Sequence, residues 1–472
     1  MKDRLLSSKP AFVLTALLLA FVIASSTAFA SGATSIGQFS FTNTPLIQPE
    51  GGSEPEISIG PTGTMGIVGL QWLFTPTNFG THLWTGPFGS TPTFRGLVDA
   101  GLQQSGKQVF GSGDADVDMG STGTLHITTL IFLFNTALNK AQLGVSAITC
   151  PHADTSNNFA NCTRQIIDTT QSDRPWITSD GKHVYISYHD SGNSTLIHVQ
   201  RSDDDGFTWQ KVGDPIVAQG GITGDATFNN DQGPIVADPT THIVYDVYAA
   251  GEPGIQKATS TAFNHIFVSR STDMGLTWTA QLVFTGPAGI GLNNVFPTLA
   301  VDPANGHLFA AWSNAHTVAF SASTDHDVSW SPAVSVNVAP ATTAVFPWLA
   351  ALHGTVDLVY YGTTAASKDA PSALWNVYMA QTTDGGAHFI QGVVTSHPNH
   401  VGVICTNGIA CAPGTRNLLD LFKVAIDPQS GQAAIIYTDD TISTTTSSTG
   451  SFSCFPGETI CPLPQVVLAQ QQ

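Results

Sequence analysis

Ser202-Asp203-Asp204-Asp205-Gly206-Phe207-Thr208-Trp209 and Ser271-Thr272-Asp273-Met274-Gly275-Leu276-Thr277-Trp278 read as one pattern, Ser-x-Asp-x-Gly-x-Thr-Trp. Two looser copies follow. Ser323-Thr324-Asp325-His326-Asp327-Val328-Ser329-Trp330 has Asp where the others have Gly, and Thr382-Thr383-Asp384-Gly385-Gly386-Ala387-His388-Phe389 ends in Phe. The chemistry is that of a turn. The hydroxyl and carboxylate can accept hydrogen bonds from turn N–H groups, glycine permits positive φ, and the terminal aromatic can tuck under a neighbouring strand. Four copies in succession mark a repeated architecture.

Working outward, a second unit recurs around these turns: a short β-rich run, often entered through proline, then a turn, then a run ending in aromatics. It begins with Glu54-Pro55-Glu56-Ile57 and more faintly with Asp114-Ala115-Asp116-Val117. It is clearest at Asp173-Arg174-Pro175-Trp176-Ile177, with His183-Val184-Tyr185-Ile186-Ser187-Tyr188 behind it. Pro234-Ile235, Phe296-Pro297, Phe346-Pro347 and Leu421-Phe422 open four more. A spacing of about 60 residues suits four-stranded propeller blades. The fold class expected is therefore all-β, a β-propeller of seven blades with six as the alternative count. The last copy is short of a strand, and the segment from Gly37 to Leu46 could supply it, so the N- and C-terminal strands are expected to close the ring. Tyr and Trp at alternate positions of the second strands, such as Tyr245 and Tyr248, read as inter-blade packing.

The Ser-x-Asp-x-Gly turns resemble the Asp-box, or BNR, repeats of the sialidase superfamily. The positions that match are Ser202, Asp204, Gly206 and Trp209; Ser271, Asp273, Gly275 and Trp278; Asp325 and Trp330; and Asp384, Gly386 and Phe389. The resemblance implies a propeller and, for active members, three arginines holding a substrate carboxylate, a Tyr nucleophile activated by Glu, and an Asp acid/base. A guanidinium fork matches a carboxylate, which is why arginines are wanted. Past the leader the arginines are Arg95, Arg164, Arg174, Arg201, Arg270 and Arg416. Arg201 and Arg270 precede the turn serines and read as surface residues, and Arg164 follows a cysteine loop. Arg95, Arg174 and Arg416 remain as the triad. Glu252, alone in mid-chain, is the partner for a Tyr. Asp114, Asp116, Asp173, Asp231 and Asp420 share a place at the entry of first strands, where they could bring an acid or hold Ca²⁺. No other cofactor is expected, and no dedicated metal-ligand motif is present. His183, His242 and His307 read as turn residues.

Charge and export signals bound the partners. The net charge is -18, and removing Lys2, Asp3, Arg4 and Lys9 with the leader leaves 13 basic against 33 acidic residues. That balance disfavours nucleic acid and anionic membranes. Residues 1–30 combine a basic start, an apolar run from Ala11 to Ile23 and Ala28-Phe29-Ala30, the pattern of a signal peptide. Residues 31–472 then form a single domain, exported or at the cell surface, without a later membrane span and acting as a monomer. Three local disulfides are expected, Cys150 with Cys162, Cys405 with Cys411 and Cys454 with Cys461. Three functions fit: a propeller that binds glycans or another extracellular ligand through its channel face, an exo-acting glycoside hydrolase of the exo-α-sialidase type, and a structural or protein-interaction propeller with an extracellular protein partner.

Overall fold

A computed structural model describes residues 30–31, 33–72, 80–111, 113–135, 137–155, 159–192, 196–216, 230–251, 263–292, 294–412, 414–442 and 463–472. Residues 1–29, Glu252, Cys454 and Cys461 lie outside the described residues.

Seven sheets stand in a ring, each with four antiparallel strands, consecutive in six blades and completed by an N-terminal strand in the seventh, which makes the fold a seven-bladed β-propeller. Blade 1 runs Gly52–Ile59, Thr64–Gln71, Thr81–Pro87 and Thr93–Leu97 from channel to rim. The inner strands of blades 2 to 7 are Ala115–Met119, Ser172–Asp180, Asn230–Ala237, Thr298–Val301, Thr343–Leu352 and Lys423–Ile426. The seven units legible in the sequence are the inner and second strands of these blades. Blade interfaces are filled as the alternating aromatics predict: Tyr185, Tyr188, Tyr245, Tyr248, Trp312, Tyr360, Tyr361 and Tyr437 are all buried. Each large aromatic removes a large apolar area from water when it is buried.

Ring closure uses both termini. Phe41–Pro45 pairs antiparallel with Gln465–Gln471 and forms the outer strand of blade 7. The chain reaches that place along the rim. Ala30–Ser31 pairs parallel with the outer strand of blade 5, and Ala33–Ile36 with that of blade 6. One N-terminal strap therefore covers two outer edges and completes a third sheet, which removes exposed edges that would template aggregation.

The four Ser/Thr-x-Asp segments connect the third and fourth strands of blades 3 to 6 and share a core of hydrogen bonds from the Ser/Thr hydroxyl and the Asp carboxylate. In blade 3, Ser202 Oγ donates to Asp204 (2.8 Å), Gly206 N donates back to Ser202 Oγ (2.8 Å), and Asp204 accepts from Thr208 N and Oγ1 (both 2.7 Å). Trp209 Nε1 donates to Gly206 O at 3.1 Å. Blade 4 repeats this through Ser271, Asp273, Gly275, Thr277 and Trp278. Glycine is needed because its φ is +86° in blade 3 and +83° in blade 4. Blade 5 holds the same turn with Asp327 at φ +69°, its carboxylate accepting from Trp330 Nε1 at 2.7 Å. In blade 6, His388 takes the threonine's part, with Nδ1 2.7 Å from Asp384. These hydrogen bonds hold the Asp325 and Asp384 carboxyls down at about 2.

Arg201 and Arg270 are not free surface residues. Arg201 is 7% exposed and donates to Met274 O in the next blade's turn (2.8 Å), while Arg270 donates to His326 O one blade further (2.8 Å). A long side chain ending the third strand reaches its neighbour's turn, so it clamps blades instead of facing solvent. Disulfides join Cys150 to Cys162 and Cys405 to Cys411.

Candidate functional site

Each inner strand starts at the upper face of the ring, and most begin at a bulge. The pairing register slips between Ser53 and Glu56, Asp173 and Trp176, Gln232 and Ile235, and Val345 and Trp348. The residue just before each strand's proline sits at this bulge. Glu54, Arg174 and Phe346 take positive φ there, +45°, +53° and +55°. Left-handed backbone at such residues costs about 1 kcal/mol or more each and re-aims the side chain. The ring of pre-proline positions is thereby turned toward the upper mouth of the channel.

Five carboxylates and two guanidiniums meet at that mouth, from five blades. Arg174 Nη1 donates to Asp231 at 2.6 Å, and its guanidinium lies 4.3 Å over the Phe296 ring. Arg416 grips Asp420 through two nitrogens, Nε to Oδ1 at 3.2 Å and Nη2 to Oδ2. Asp420 N donates to Glu54 Oε1 at 2.8 Å, which ties blade 7 to blade 1. Asp114 and Asp173 complete the group, within electrostatic reach of one another and of Arg174.

Burial and like charge set the protonation of this cluster. Asp114 is pushed up to about 7, first by burial and then by Asp173, with Arg174 pulling the other way. Burial, Asp114 and Asp420 raise Glu54 well above the usual carboxyl range, partly offset by Arg416. Burial alone would lower Arg174, but Asp231, Asp173, Asp420 and Asp114 outweigh it and keep the guanidinium charged. The mouth can therefore hold a proton on a carboxyl near neutral pH, the state a general acid needs.

Below the mouth the channel is plugged. Trp176 and Trp348 stand with ring centres 5.3 Å apart, and Trp176 packs edge-on to Phe296 at 5.5 Å. A void of about 10 Å³ between Phe296, Phe346, Trp348 and Asp420 leaves room for about one water. Beneath the tryptophans, Lys423 Nζ lies 2.5 Å from Asp116 and 3.3 Å from Glu56. Asp116 also accepts from Ile177 N at 2.9 Å, so this ion group links blades 7, 1, 2 and 3.

Of the residues singled out from sequence, Arg174, Arg416, Asp114, Asp173, Asp231 and Asp420 come together here. Asp116 sits one layer deeper. Arg95 lies on the outer strand of blade 1, its Nε 2.8 Å from Thr85 Oγ1 and its guanidinium 5.0 Å over Phe159. Glu54 belongs to the cluster although sequence reasoning left it out. Its signal was available, since it occupies the same pre-proline position as Arg174. Among the described residues, no group of three or more His, Cys, Asp or Glu side chains is arranged to hold a metal ion, and no helix is long and apolar enough to cross a membrane.

No protein-family model matches the sequence, and no curated protein is similar to it. Among solved structures the chain is similar to a protein of unknown function from Dyadobacter fermentans, at 12% identity and a TM-score of 0.46, over 91% of this chain and 98% of that one. It is similar at 12% identity and 0.47 to an ulvan-cleaving polysaccharide lyase, over 87% and 92%. A microbial sialidase aligns at 12% and 0.42, over 84% of this chain and 74% of its own.

Proposed function

We propose that the upper mouth binds the end of a hydroxyl-rich, uncharged glycan presented outside the cell. The observation that carries this reading is the pairing within the mouth: five carboxylates face two arginines, and each arginine is already held by an aspartate. Carboxylates accept hydrogen bonds from sugar hydroxyls, and among the described residues Asp114, Asp173 and Glu54 are hydrogen-bonded to neither arginine, Glu54 accepting instead from the Asp420 backbone N–H. A substrate carboxylate would have to displace Asp231 from Arg174 or Asp420 from Arg416, into a ring that carries excess negative charge. The sialic-acid type of ligand is therefore disfavoured at this site. Export fits the two disulfides.

The test is a glycan array probed with residues 31–472. Neutral oligosaccharides should be retained and sialylated ones not, with Asp173→Asn reducing retention. Retention of sialylated glycans alone would overturn the reading, as would no retention of any glycan.

One observation favours hydrolysis as a second reading: a carboxyl pushed up to about 7 can hold and give a proton near neutral pH. Asp114 would then be the proton donor. Fluorogenic glycosides of neutral sugars and of sialic acid test it. Turnover lost in Asp114→Asn supports the hydrolase, and turnover of the sialic-acid glycoside abolished by Arg174→Ala would restore the sialidase type.

A further inference from the structure

At the lower face the channel opens into a separate well of about 450 Å³, lined by the distal halves of all seven inner strands. That volume lies in the usual range for small-molecule sites, roughly 300–1,000 Å³. Trp348 lines both this well and the small void above it, so the indole divides the two mouths. Prolines from four strand-to-strand turns, Pro61, Pro239, Pro303 and Pro428, lie along the lining.

The wall is two-sided. Blades 4, 5 and 6 contribute half-buried Val236, Val301 and Leu352. Blades 1, 2 and 3 contribute Ser58, Asp118 and Ser179 in a row. Ser179 Oγ donates to Asp118 Oδ2 at 2.5 Å and Ser58 Oγ to Oδ1 at 3.4 Å. At the floor Lys423 is committed to Asp116 and Glu56, with Nζ 5.2 Å from the Trp348 ring centre. Among the described residues, no ion pair joins Asp118 to a cation. Three carboxylates thus face one ammonium, and Asp118, which Lys423 and His126 reach through space without an ion pair, stands on the wall of a largely apolar cavity.

We infer that the lower well binds a primary ammonium group carried on an apolar body. An –NH₃⁺ head has three donors, and Asp118, Ser58 and Ser179 place acceptor oxygens side by side. The aliphatic flank takes the body. A carboxylate-headed ligand would meet Asp118 with like charge, and a purely apolar one would desolvate that carboxylate without giving it a partner. This site is on the opposite face from the proposed glycan mouth and stands or falls apart from it.

The experiment is calorimetric titration of residues 31–472 with hexylamine, hexanol and hexanoate at fixed ionic strength. Hexylamine is expected to bind saturably and about tenfold or more tighter than hexanol, the effect of one charge-assisted contact, with hexanoate showing no binding. Asp118→Asn should lose that preference, Ser179→Ala should weaken hexylamine binding if the first variant does not fold, and Leu352→Trp should fill the well and abolish binding. The inference is overturned by hexanol or hexanoate binding as tightly as hexylamine, by variants that bind like the parent, or by hexylamine giving no saturable heat.

Discussion

Replacing Lys423 with Met tests what locks the ring. The Lys423 side chain is 16% exposed, and Glu56 and Asp116 are almost wholly buried. Met keeps most of the aliphatic stem but leaves two buried carboxylates without their cation. Removing one partner of a buried ion pair typically costs about 3–5 kcal/mol. In a chain larger than 250 residues each kcal/mol moves Tm by at most about 2–4 °C, so a fall of roughly 5–15 °C is expected. The loss should shrink at low pH, because burial already pushes Glu56 above the usual carboxyl range and protonation removes its unpaired charge. Differential scanning calorimetry of Lys423→Met, Glu56→Gln and the double variant at two pH values measures this. Lys423→Met melting with the parent, or a double variant whose loss is merely the sum of the singles, would show that this ion group does not lock the ring.

Three further outcomes are expected. Asp114 keeps its proton in the fold up to about 7, while the unfolded chain releases it near the ordinary aspartate value of about 3.9. The folded state thus binds the extra proton between those values, stability falls as pH rises through that window, and Asp114→Asn should flatten the decline in a Tm-versus-pH series. Deleting residues 31–46 removes the outer strand of blade 7 and the rim strap, and should lower Tm sharply and expose edges that aggregate, read by light scattering; unchanged melting would contradict closure by the N-terminus. Asp327→Gly relieves a left-handed aspartate whose carboxyl burial pushes up to about 8. Trp330 can then donate to the backbone carbonyl as Trp209 and Trp278 do, so Tm at pH 8 should be no lower than the parent's, and a marked drop would show that the carboxylate is needed.

Much of the architecture was legible because the motifs that build it are local. Ser202 through Trp209 form a turn whose hydrogen bonds run within eight residues, so the pattern and the structure coincide. The closure by Gly37 to Leu46 was legible because the last blade lacked a strand. The site was legible in part: Asp114, Arg174 and Asp420 share a place relative to their strands, and strand equivalence in a ring is spatial proximity. Contacts that depend on closure were not. Glu54 meets Asp420 from 366 positions away, and only the joining of blades 7 and 1 brings them together. Lys423 escaped notice because nothing in its sequence neighbourhood marks it as the cation that Glu56 and Asp116 share. Arg201 was misjudged because its position before a turn serine suggests the rim, whereas its length carries the guanidinium under the next blade.

The proposed recognition of uncharged glycan ends by the upper mouth rests on carboxylates that no arginine grips. Its most direct measurement is a calorimetric titration of the parent chain and Asp173→Asn with a neutral oligosaccharide and its sialylated counterpart. Saturable binding of the neutral sugar is expected, weakened about tenfold or more by Asp173→Asn, and none of the sialylated one. Preferential binding of the sialylated sugar, or neutral binding untouched by Asp173→Asn, would contradict it.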